Sequence, residues 1–174
     1  MPRRHSRPAI AAARWARIRL FAMDVDGVLT DGTIAVSSTG GETKVFSVLD
    51  GLGLRRVRAA GLEIAWISGR TSTATSRRAR ELKIRRVLQG NNDKLAVLRK
   101  IAGQLGLTAA ECLYMGDDDI DVPALLWAGI GVAVPNALPA ALDAADCITI
   151  REGGRGAVRQ VCDRLLASRK GVGP

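Results

Sequence analysis

The sequence predicts an α/β fold in which helices cover both faces of a doubly wound parallel sheet. Short apolar runs alternate with helical patterns along the 174 residues, which is the order that strand, crossover helix and parallel strand produce. Hydrophobic residues make up 47% of the chain but aromatic residues only 3%, so the core is aliphatic. This length suits one domain, and we find no internal repeat or linker that would divide it.

Continuous apolar runs, typical of strands buried on both faces, mark the predicted strands. They occupy residues 20–25, 62–67, 86–88, 112–115, 131–134 and, more weakly, 147–150. The predicted helices between them occupy residues 52–60, 73–82, 94–105, 122–128 and 157–166. Gly61, Gly106 and Gly129 follow three of these helices, where glycine commonly ends a helix. Thr108 and Glu111 are predicted to form a turn.

Residues 33–48 depart from this alternation. Ile34 and Val36 lie on one side of a Ser, Thr and Gly segment at 37–41, and Val45 lies on the other. This pattern predicts a β-hairpin that leaves the sheet after the first strand. We expect a basic lead-in at residues 1–17, a domain at 18–167 with the hairpin as a flap, and a tail at 168–174.

The basic residues are concentrated at the start of the chain. Net charge is +9, and six of the 26 basic residues lie in residues 1–19, which contain no acid. Such a start is found in nucleic-acid arms and targeting segments, but we expect a solvated lead-in. Few aromatic residues are present to stack on single strands, so nucleic-acid binding is disfavoured. No apolar run of about 18 residues predicts a membrane span.

The residue types present restrict the possible chemistry. A single histidine, His5, excludes Ser-His-Asp and Cys-His catalysis and histidine-rich zinc sites. Cys112, Cys147 and Cys162 are odd in number and far apart, which disfavours a disulfide framework and favours a reducing cytoplasm. Catalysis would therefore depend on carboxylate, lysine, arginine and hydroxyl groups.

Polar residues follow several predicted strands, at the edge where ligands bind in open α/β sheets. These residues are Asp24, Asp26 and Gly27, then Ser68, Gly69 and Arg70, then Lys94, and finally the acidic loop at 116–121. Each group alone has an ordinary explanation as a turn, a helix entry, a solvated charge or an acidic first helical turn. Their occurrence together at successive strand ends favours a shared site.

Phosphoryl transfer to a carboxylate is the chemistry that uses this set of residues. Asp24 could attack phosphorus, while Asp26 could protonate the leaving oxygen and later activate water. Several carboxylates and a phosphate need a hard cation such as Mg²⁺. Asp117 would supply a ligand, and Asp118 and Asp121 would supply or orient the others. Lys94, Ser68 and the backbone at Gly69 would bind phosphate oxygens.

Residues 24–32 resemble the first motif of haloacid-dehalogenase-superfamily phosphatases, in the form used by 3-deoxy-D-manno-octulosonate (KDO) 8-phosphate phosphatases of lipopolysaccharide biosynthesis. The similarity continues through residues 46–51, 67–70, 78, 89–94, 114–123 and 153–159, and covers about residues 18–167. It implies Rossmann-like topology, with the hairpin in place of a large cap domain.

The resemblance also implies particular roles. Asp24 would be the nucleophile and Asp26 the general acid and base. The Asp24 carboxylate, the Asp26 main-chain carbonyl and Asp117 would bind Mg²⁺, and Ser68 and Lys94 would bind phosphate. The implied candidates for substrate contacts are Thr30, Arg70, Arg78 and Arg155. Relatives are typically homotetramers in which the hairpin and C-terminal segment of one subunit help to close a neighbour's site.

Two departures from the family bear on the choice of sugar. Leu49 stands where relatives often carry a basic residue, and Pro135 and Asn136 stand where many have Ala and Asp. Alternative substrates are therefore a nine-carbon sugar-acid phosphate or another phosphosugar.

Two other classes of protein share some of these features. A signalling receiver domain has its phosphoacceptor after a later strand, and it has no place for the acidic loop at 116–121. A non-catalytic phosphatase-like oligomerisation module is disfavoured because the candidate catalytic residues are intact.

Overall fold

A computed structural model describes residues 9–170. Its strands are β1 (Leu20–Met23), β2 (Ala35–Val36), β3 (Glu42–Thr43), β4 (Glu63–Ile67), β5 (Arg86–Leu88), β6 (Cys112–Gly116), β7 (Ile130–Ala133) and β8 (Cys147–Ile148). Its helices are α1 (Ala12–Arg17), α2 (Val48–Ala59), α3 (Thr73–Glu81), α4 (Lys94–Gln104), α5 (Val122–Trp127), α6 (Pro139–Ala144) and α7 (Ala157–Lys170). Short 3₁₀ turns occupy Ala109–Glu111 and Asp119–Asp121.

Six strands form one parallel sheet in the order β5-β4-β1-β6-β7-β8, and β2 pairs with β3 in a separate antiparallel hairpin. The central strand, β1, pairs with both β4 and β6. The predicted α/β fold with a doubly wound parallel sheet is confirmed. Since parallel strands end at the same edge, the segments that follow β1, β4 and β6 lie next to one another.

Each face of the sheet has its own apolar core. Because side chains alternate along a strand, Phe21 and Met23 of β1 contribute to one core, and Leu20 and Ala22 to the other. Residues of α1, α2, α3 and α7 fill the first core, and residues of α4, α5 and α6 fill the second. The nearly unbroken apolar character of β1 follows from this burial on both faces.

The hairpin is shorter than predicted, and the helix after it begins earlier. Ser47 is the N-cap of α2, with its hydroxyl accepting from the Asp50 amide at 3.4 Å. The helix therefore starts at Val48 and not at residue 52, and the predicted second strand ends in the capping turn. At residues 45–47 the alternating pattern predicts a strand, but the hydrogen bond that caps α2 forms instead.

The expectation of a solvated lead-in is wrong for Trp15, although most of residues 12–17 are exposed. This segment forms α1, and Trp15 is buried in the core that α7 also fills. Arg14 donates to the Gly129 carbonyl and pairs with Asp146 at 3.2 Å. His5 and the first three arginines of the lead-in lie outside the described residues.

Smaller differences concern the later elements. Helix α6 was not predicted, and α7 continues to Lys170, past the domain end expected at 167. The turn predicted at Thr108 and Glu111 is present as a single 3₁₀ turn, and the two residues form a capping box there. Within residues 9–170 no helix has the length and apolar character needed to cross a bilayer, and no disulfide joins the cysteines.

Candidate active site

The candidate site lies where β1, β4 and β6 end. Asp24 follows β1, Ser68 follows β4 and Asp117 follows β6. The Asp24 amide donates to the Met115 carbonyl at 2.9 Å, which extends the β1–β6 pairing to the start of the site. Lys94 begins α4, whose N-cap Asp93 accepts from the Ala96 amide at 2.9 Å. The strand ends and one helix start thus bring the predicted residues together.

Asp24 is a buried carboxylate paired with a buried ammonium group. Its Oδ1 accepts from the Val25 amide at 2.7 Å and lies 2.8 Å from Lys94 Nζ. Lys94 Nζ also donates to the Ile67 carbonyl at 2.8 Å. Burial raises the pKa of Asp24 to about 7, with the neighbouring Asp121 carboxylate adding to the rise and Lys94 opposing it. Both donors engage Oδ1, so Oδ2 keeps its lone pairs for a phosphorus atom or a cation.

Asp24, Asp117 and Asp121 form a compact group of carboxylates. One oxygen from each lies within 4.8 Å of the others. Burial and then the Asp24 charge raise the pKa of Asp117 to about 8. Asp117 Oδ1 is buried and has no hydrogen-bond partner among the described residues. An unpartnered buried carboxylate oxygen beside a second carboxylate suits a hard divalent cation, so the residues present fit Mg²⁺.

Asp121 differs from the other two carboxylates because donors already surround it. Its Oδ1 accepts from the Tyr114 hydroxyl at 2.6 Å and lies 3.5 Å from Lys94 Nζ. Its Oδ2 accepts from the amides of Asp117 and Asp118 at 2.9 and 3.1 Å. These contacts fix the acidic loop. Tyr114 was not singled out in the sequence, because its burial in the apolar strand β6 gave no polar signal.

Asp118 and Asp119 occupy the start of the 3₁₀ turn that follows. Asp118 is its N-cap and accepts from the Asp119 amide, whereas Asp119 is exposed. The ordinary explanation of an acidic first turn therefore holds for Asp118. It does not account for Asp117, whose side chain faces the other carboxylates.

The Asp26 carboxylate contacts Lys44, which is not among the candidate site residues predicted from the sequence. Lys44 Nζ is 2.7 Å from Asp26 Oδ1 and donates to Oδ2 at 2.9 Å. Asp26 is not in the three-carboxylate group. One sequence pattern could have indicated Lys44. Glu42 and Lys44 are two residues apart, and at that spacing the side chains of an extended segment share a face.

The segment after β4 is closely packed at the predicted phosphate position. Ser68 is buried, and its hydroxyl accepts from the Arg70 amide at 3.2 Å. An added Cβ at Gly69 would lie 2.5 Å from Asn92 Oδ1. A side chain at position 69 would therefore require the exposed Asn92 side chain to move.

Two of the predicted substrate residues have exposed guanidinium groups. Arg70 is 3.1 Å from Glu42 Oε2 and 4.0 Å from Asp26 Oδ2, with about half of its side chain exposed. Arg155 is 3.9 Å from Asp31 Oδ2, and 71% of its side chain is exposed. Both are placed where a ligand could reach them.

The other two predicted substrate residues make internal contacts. The Thr30 hydroxyl is buried and accepts from the Gly27 and Gly32 amides at 3.3 and 3.2 Å. Arg78 pairs with Glu81 at 2.8 Å and donates to the Ser47 carbonyl at 3.3 Å. Thr30 braces the turn after β1, and Arg78 links α3 to the start of α2.

The glycines at 153–154 pack closely against the turn that follows β1. A Cβ at Gly153 would lie 1.7 Å from the Gly27 carbonyl oxygen, and one at Gly154 would lie 2.6 Å from the Thr30 carbonyl carbon. Asn136 joins the same loops, since it donates to the Gly27 carbonyl at 3.3 Å and accepts from the Gly153 amide at 2.9 Å. This segment therefore approaches the site of its own chain.

Comparisons with known proteins agree with this geometry. Residues 83–159 match the haloacid dehalogenase-like hydrolase family. The KDO 8-phosphate phosphatase KdsC of Yersinia pestis is 41% identical over 153 residues, which are 88% of this chain and 82% of that protein. The chain belongs to the KDO 8-phosphate phosphatase family of haloacid dehalogenase-like hydrolases.

Solved structures of this family superpose closely on the chain. The KDO 8-phosphate phosphatase of Moraxella catarrhalis, in complex with magnesium, phosphate and KDO, is 44% identical and has a TM-score of 0.90, covering 91% of both chains. The cobalt-bound enzyme of Haemophilus influenzae is 34% identical with a TM-score of 0.87, covering 90% of this chain and 92% of that one. The family resemblance of the sequence is thereby confirmed.

The raised pKa values of Asp24 and Asp117 predict how stability depends on pH without metal. In the unfolded chain each of these carboxyl groups has a pKa near 3.8 and loses its proton above that pH. In the folded chain each group keeps its proton to a higher pH. The free energy of unfolding should therefore fall as pH rises from about 4 through these two pKa values, by about 1.4 kcal/mol per pH unit for each net proton that the folded chain holds and the unfolded chain does not. Urea denaturation in EDTA measures this slope.

Two comparisons make that measurement specific. Asp117→Asn should flatten the slope, whereas Asp119→Asn at an exposed position should not. Saturating Mg²⁺ should also flatten it, because a bound cation favours the ionised carboxylates in the folded chain. Equal slopes in the wild type and Asp117→Asn would show that Asp117 does not titrate in this way.

Proposed function

We propose that this chain is an Mg²⁺-dependent phosphatase that hydrolyses KDO 8-phosphate to KDO and phosphate through an aspartyl-phosphate on Asp24. The observation that carries the proposal is the buried Asp24 carboxylate, 2.8 Å from Lys94 Nζ and grouped with Asp117. The identity to KDO 8-phosphate phosphatases supports the substrate.

In the first half of the proposed reaction, an Asp24 oxygen forms a bond to phosphorus as the bond from phosphorus to the sugar oxygen breaks. The leaving oxygen takes a proton from the Asp26 carboxyl group. Lys94 keeps the Asp24 carboxylate in place and offsets negative charge. In this proposal Ser68 and the backbone at Gly69 bind the phosphoryl oxygens.

In the second half, water attacks the phosphorus of the aspartyl-phosphate. Asp26, now a carboxylate, takes a proton from that water, and the Asp24 carboxylate is restored as phosphate leaves. The ion Mg²⁺ would be held by Asp24, Asp117 and the Asp26 carbonyl, and would neutralise charge on the phosphoryl group. Asp118 and Asp121 would hold the acidic loop that carries Asp117.

Arg155 and Arg70 are the proposed contacts for the sugar-acid carboxylate, since a guanidinium group suits a planar carboxylate. Thr30 and Arg78 act in this proposal through the loops they brace. Because Leu49 and the Pro135 and Asn136 pair depart from the family pattern, the alternative substrate is a nine-carbon sugar-acid phosphate or another phosphosugar. The substrate is a small molecule, and the proposal includes no nucleic-acid partner.

A homotetramer is the proposed assembly. Apolar side chains are exposed on the hairpin and the start of α2, at Val36, Val45, Val48, Leu49 and Leu52. Such a cluster is typical of a surface that another protein covers. A second copy on the hairpin would enclose the site, which has no inserted cap domain.

A cytoplasmic location is also proposed, because widely separated cysteines favour reduced thiols.

The reaction is tested by phosphate release from KDO 8-phosphate, a nine-carbon sugar-acid phosphate and an aryl phosphate. KDO 8-phosphate should have the highest kcat/KM, and EDTA should abolish turnover. Asp24→Asn should lower kcat by about 10³-fold or more, because it removes the nucleophile from a nearly unchanged shape. Asp119→Asn is the matched control and should keep its activity. Full turnover by Asp24→Asn would contradict the mechanism.

Arg155→Ala tests recognition of the sugar acid. The loss of a charged hydrogen-bond donor should raise KM for KDO 8-phosphate by about 10-fold and leave aryl phosphate hydrolysis unchanged. Arg80→Ala, at an exposed position on α3, is the control. Both variants should keep the mass of four chains in light scattering. An unchanged KM would exclude Arg155 as a contact, and a monomeric wild type would contradict the tetramer.

A further inference from the structure

Lys44 is a buried cation beside the site that the proposed reaction leaves without a role. It follows β3 on the return side of the hairpin, and its side chain has no exposed surface. A buried ammonium group is costly unless it is paired and hydrogen-bonded. Its Nζ donates to Asp26 Oδ2 at 2.9 Å and to the Thr75 hydroxyl at 3.4 Å. It also lies 2.7 Å from Asp26 Oδ1, which accepts no hydrogen bond from the described residues.

The fold of the same chain holds Lys44 at this position. Glu42, two residues earlier, accepts from the Ser72 hydroxyl at 2.5 Å and from Arg70 at 3.1 Å. Ser72 is itself the N-cap of α3. The return side of the hairpin is thus attached to the start of α3, and Lys44 is brought to Asp26 before any substrate arrives.

The lack of exposure decides how Lys44 can act. A side chain with no exposed surface does not reach a substrate in the open site, so any effect on the reaction passes through the groups it contacts. The Asp26 side chain is 18% exposed. Because Lys44 Nζ donates to one oxygen of Asp26 and lies against the other, it restricts rotation of the carboxyl group while leaving part of that group accessible.

We propose that Lys44 is a positioning residue that holds the Asp26 carboxyl group in the orientation for proton transfer to the sugar oxygen. This inference rests on the proposed role of Asp26 as proton donor. Proton transfer depends closely on the geometry of donor and acceptor. A carboxyl group free to rotate would spend less time facing the leaving oxygen.

The test compares two leaving groups in Lys44→Met, which keeps an unbranched chain and removes the ammonium group. The parameter kcat/KM reports the steps up to release of the leaving group. With a sugar phosphate that oxygen needs a proton, whereas the leaving oxygen of 2,4-dinitrophenyl phosphate does not. We expect kcat/KM to fall by about 10-fold or more for the sugar phosphate, within the range of acid catalysis, and by less than about 2-fold for the aryl phosphate. Lys100→Met, at an exposed position on α4, is the matched control.

A double-mutant comparison separates positioning from general damage to the site. In an Asp26→Asn background, Lys44→Met should cause no further fall in kcat/KM for the sugar phosphate, because the group it positions has lost its proton. Lys44→Gln, which keeps an amide donor, repeats both comparisons if circular dichroism shows that the Met variant does not fold.

Three results would overturn the inference: an unchanged kcat/KM for the sugar phosphate, equal losses with both substrates, or a further loss in the Asp26→Asn background. Full activity of Asp26→Asn with the sugar phosphate would instead overturn the proposed role of Asp26. Loss of activity in Asp26→Asn without loss in Lys44→Met would overturn only the role of Lys44.

Discussion

The mutual repulsion of buried carboxylates at the end of β1 and β6 is the constraint on which the rest of the site depends. Asp24, Asp117 and Asp121 place oxygens within 4.8 Å of one another, and burial removes the water that would screen them. Lys94 offsets the charge of Asp24, and a hydroxyl and two amides bind Asp121. Asp117 retains a buried oxygen with no donor among residues 9–170, so a cation completes the balance of charge.

The same requirement explains the close packing of the loops around the site. Gly27 has a φ of +91°, and an added Cβ there would lie 2.0 Å from Asp117 Oδ2. At Gly116 a Cβ would lie 2.5 Å from Asp121 Cβ. Asn136 then ties Gly27 to the segment at 153–154. Catalysis of this kind gains from groups that are fixed before the substrate binds, and the loop contacts provide that fixation.

Much of the fold and the centre of the site could be predicted because their signals are local. A strand buried on both faces is a short apolar run, and Asp24, Ser68 and Asp117 directly follow such runs. The start of α2 was missed because a cap at Ser47 interrupts an alternating pattern. Lys44 was missed because its contact with Asp26 depends on how the hairpin folds back over the site. Burial of Trp15 likewise depends on α7, more than 140 residues later in the chain.

The central claim, that Asp24 carries the phosphoryl group during turnover, can be tested by trapping that intermediate. The enzyme is mixed with Mg²⁺ and a phosphate monoester, quenched in acid during the steady state, digested and analysed by mass spectrometry. We expect the mass of one phosphoryl group on the peptide that contains Asp24, and none on that peptide in Asp24→Asn. A phosphoryl group on another residue during full turnover, or turnover with no phosphorylated peptide at any quench time, would contradict the account.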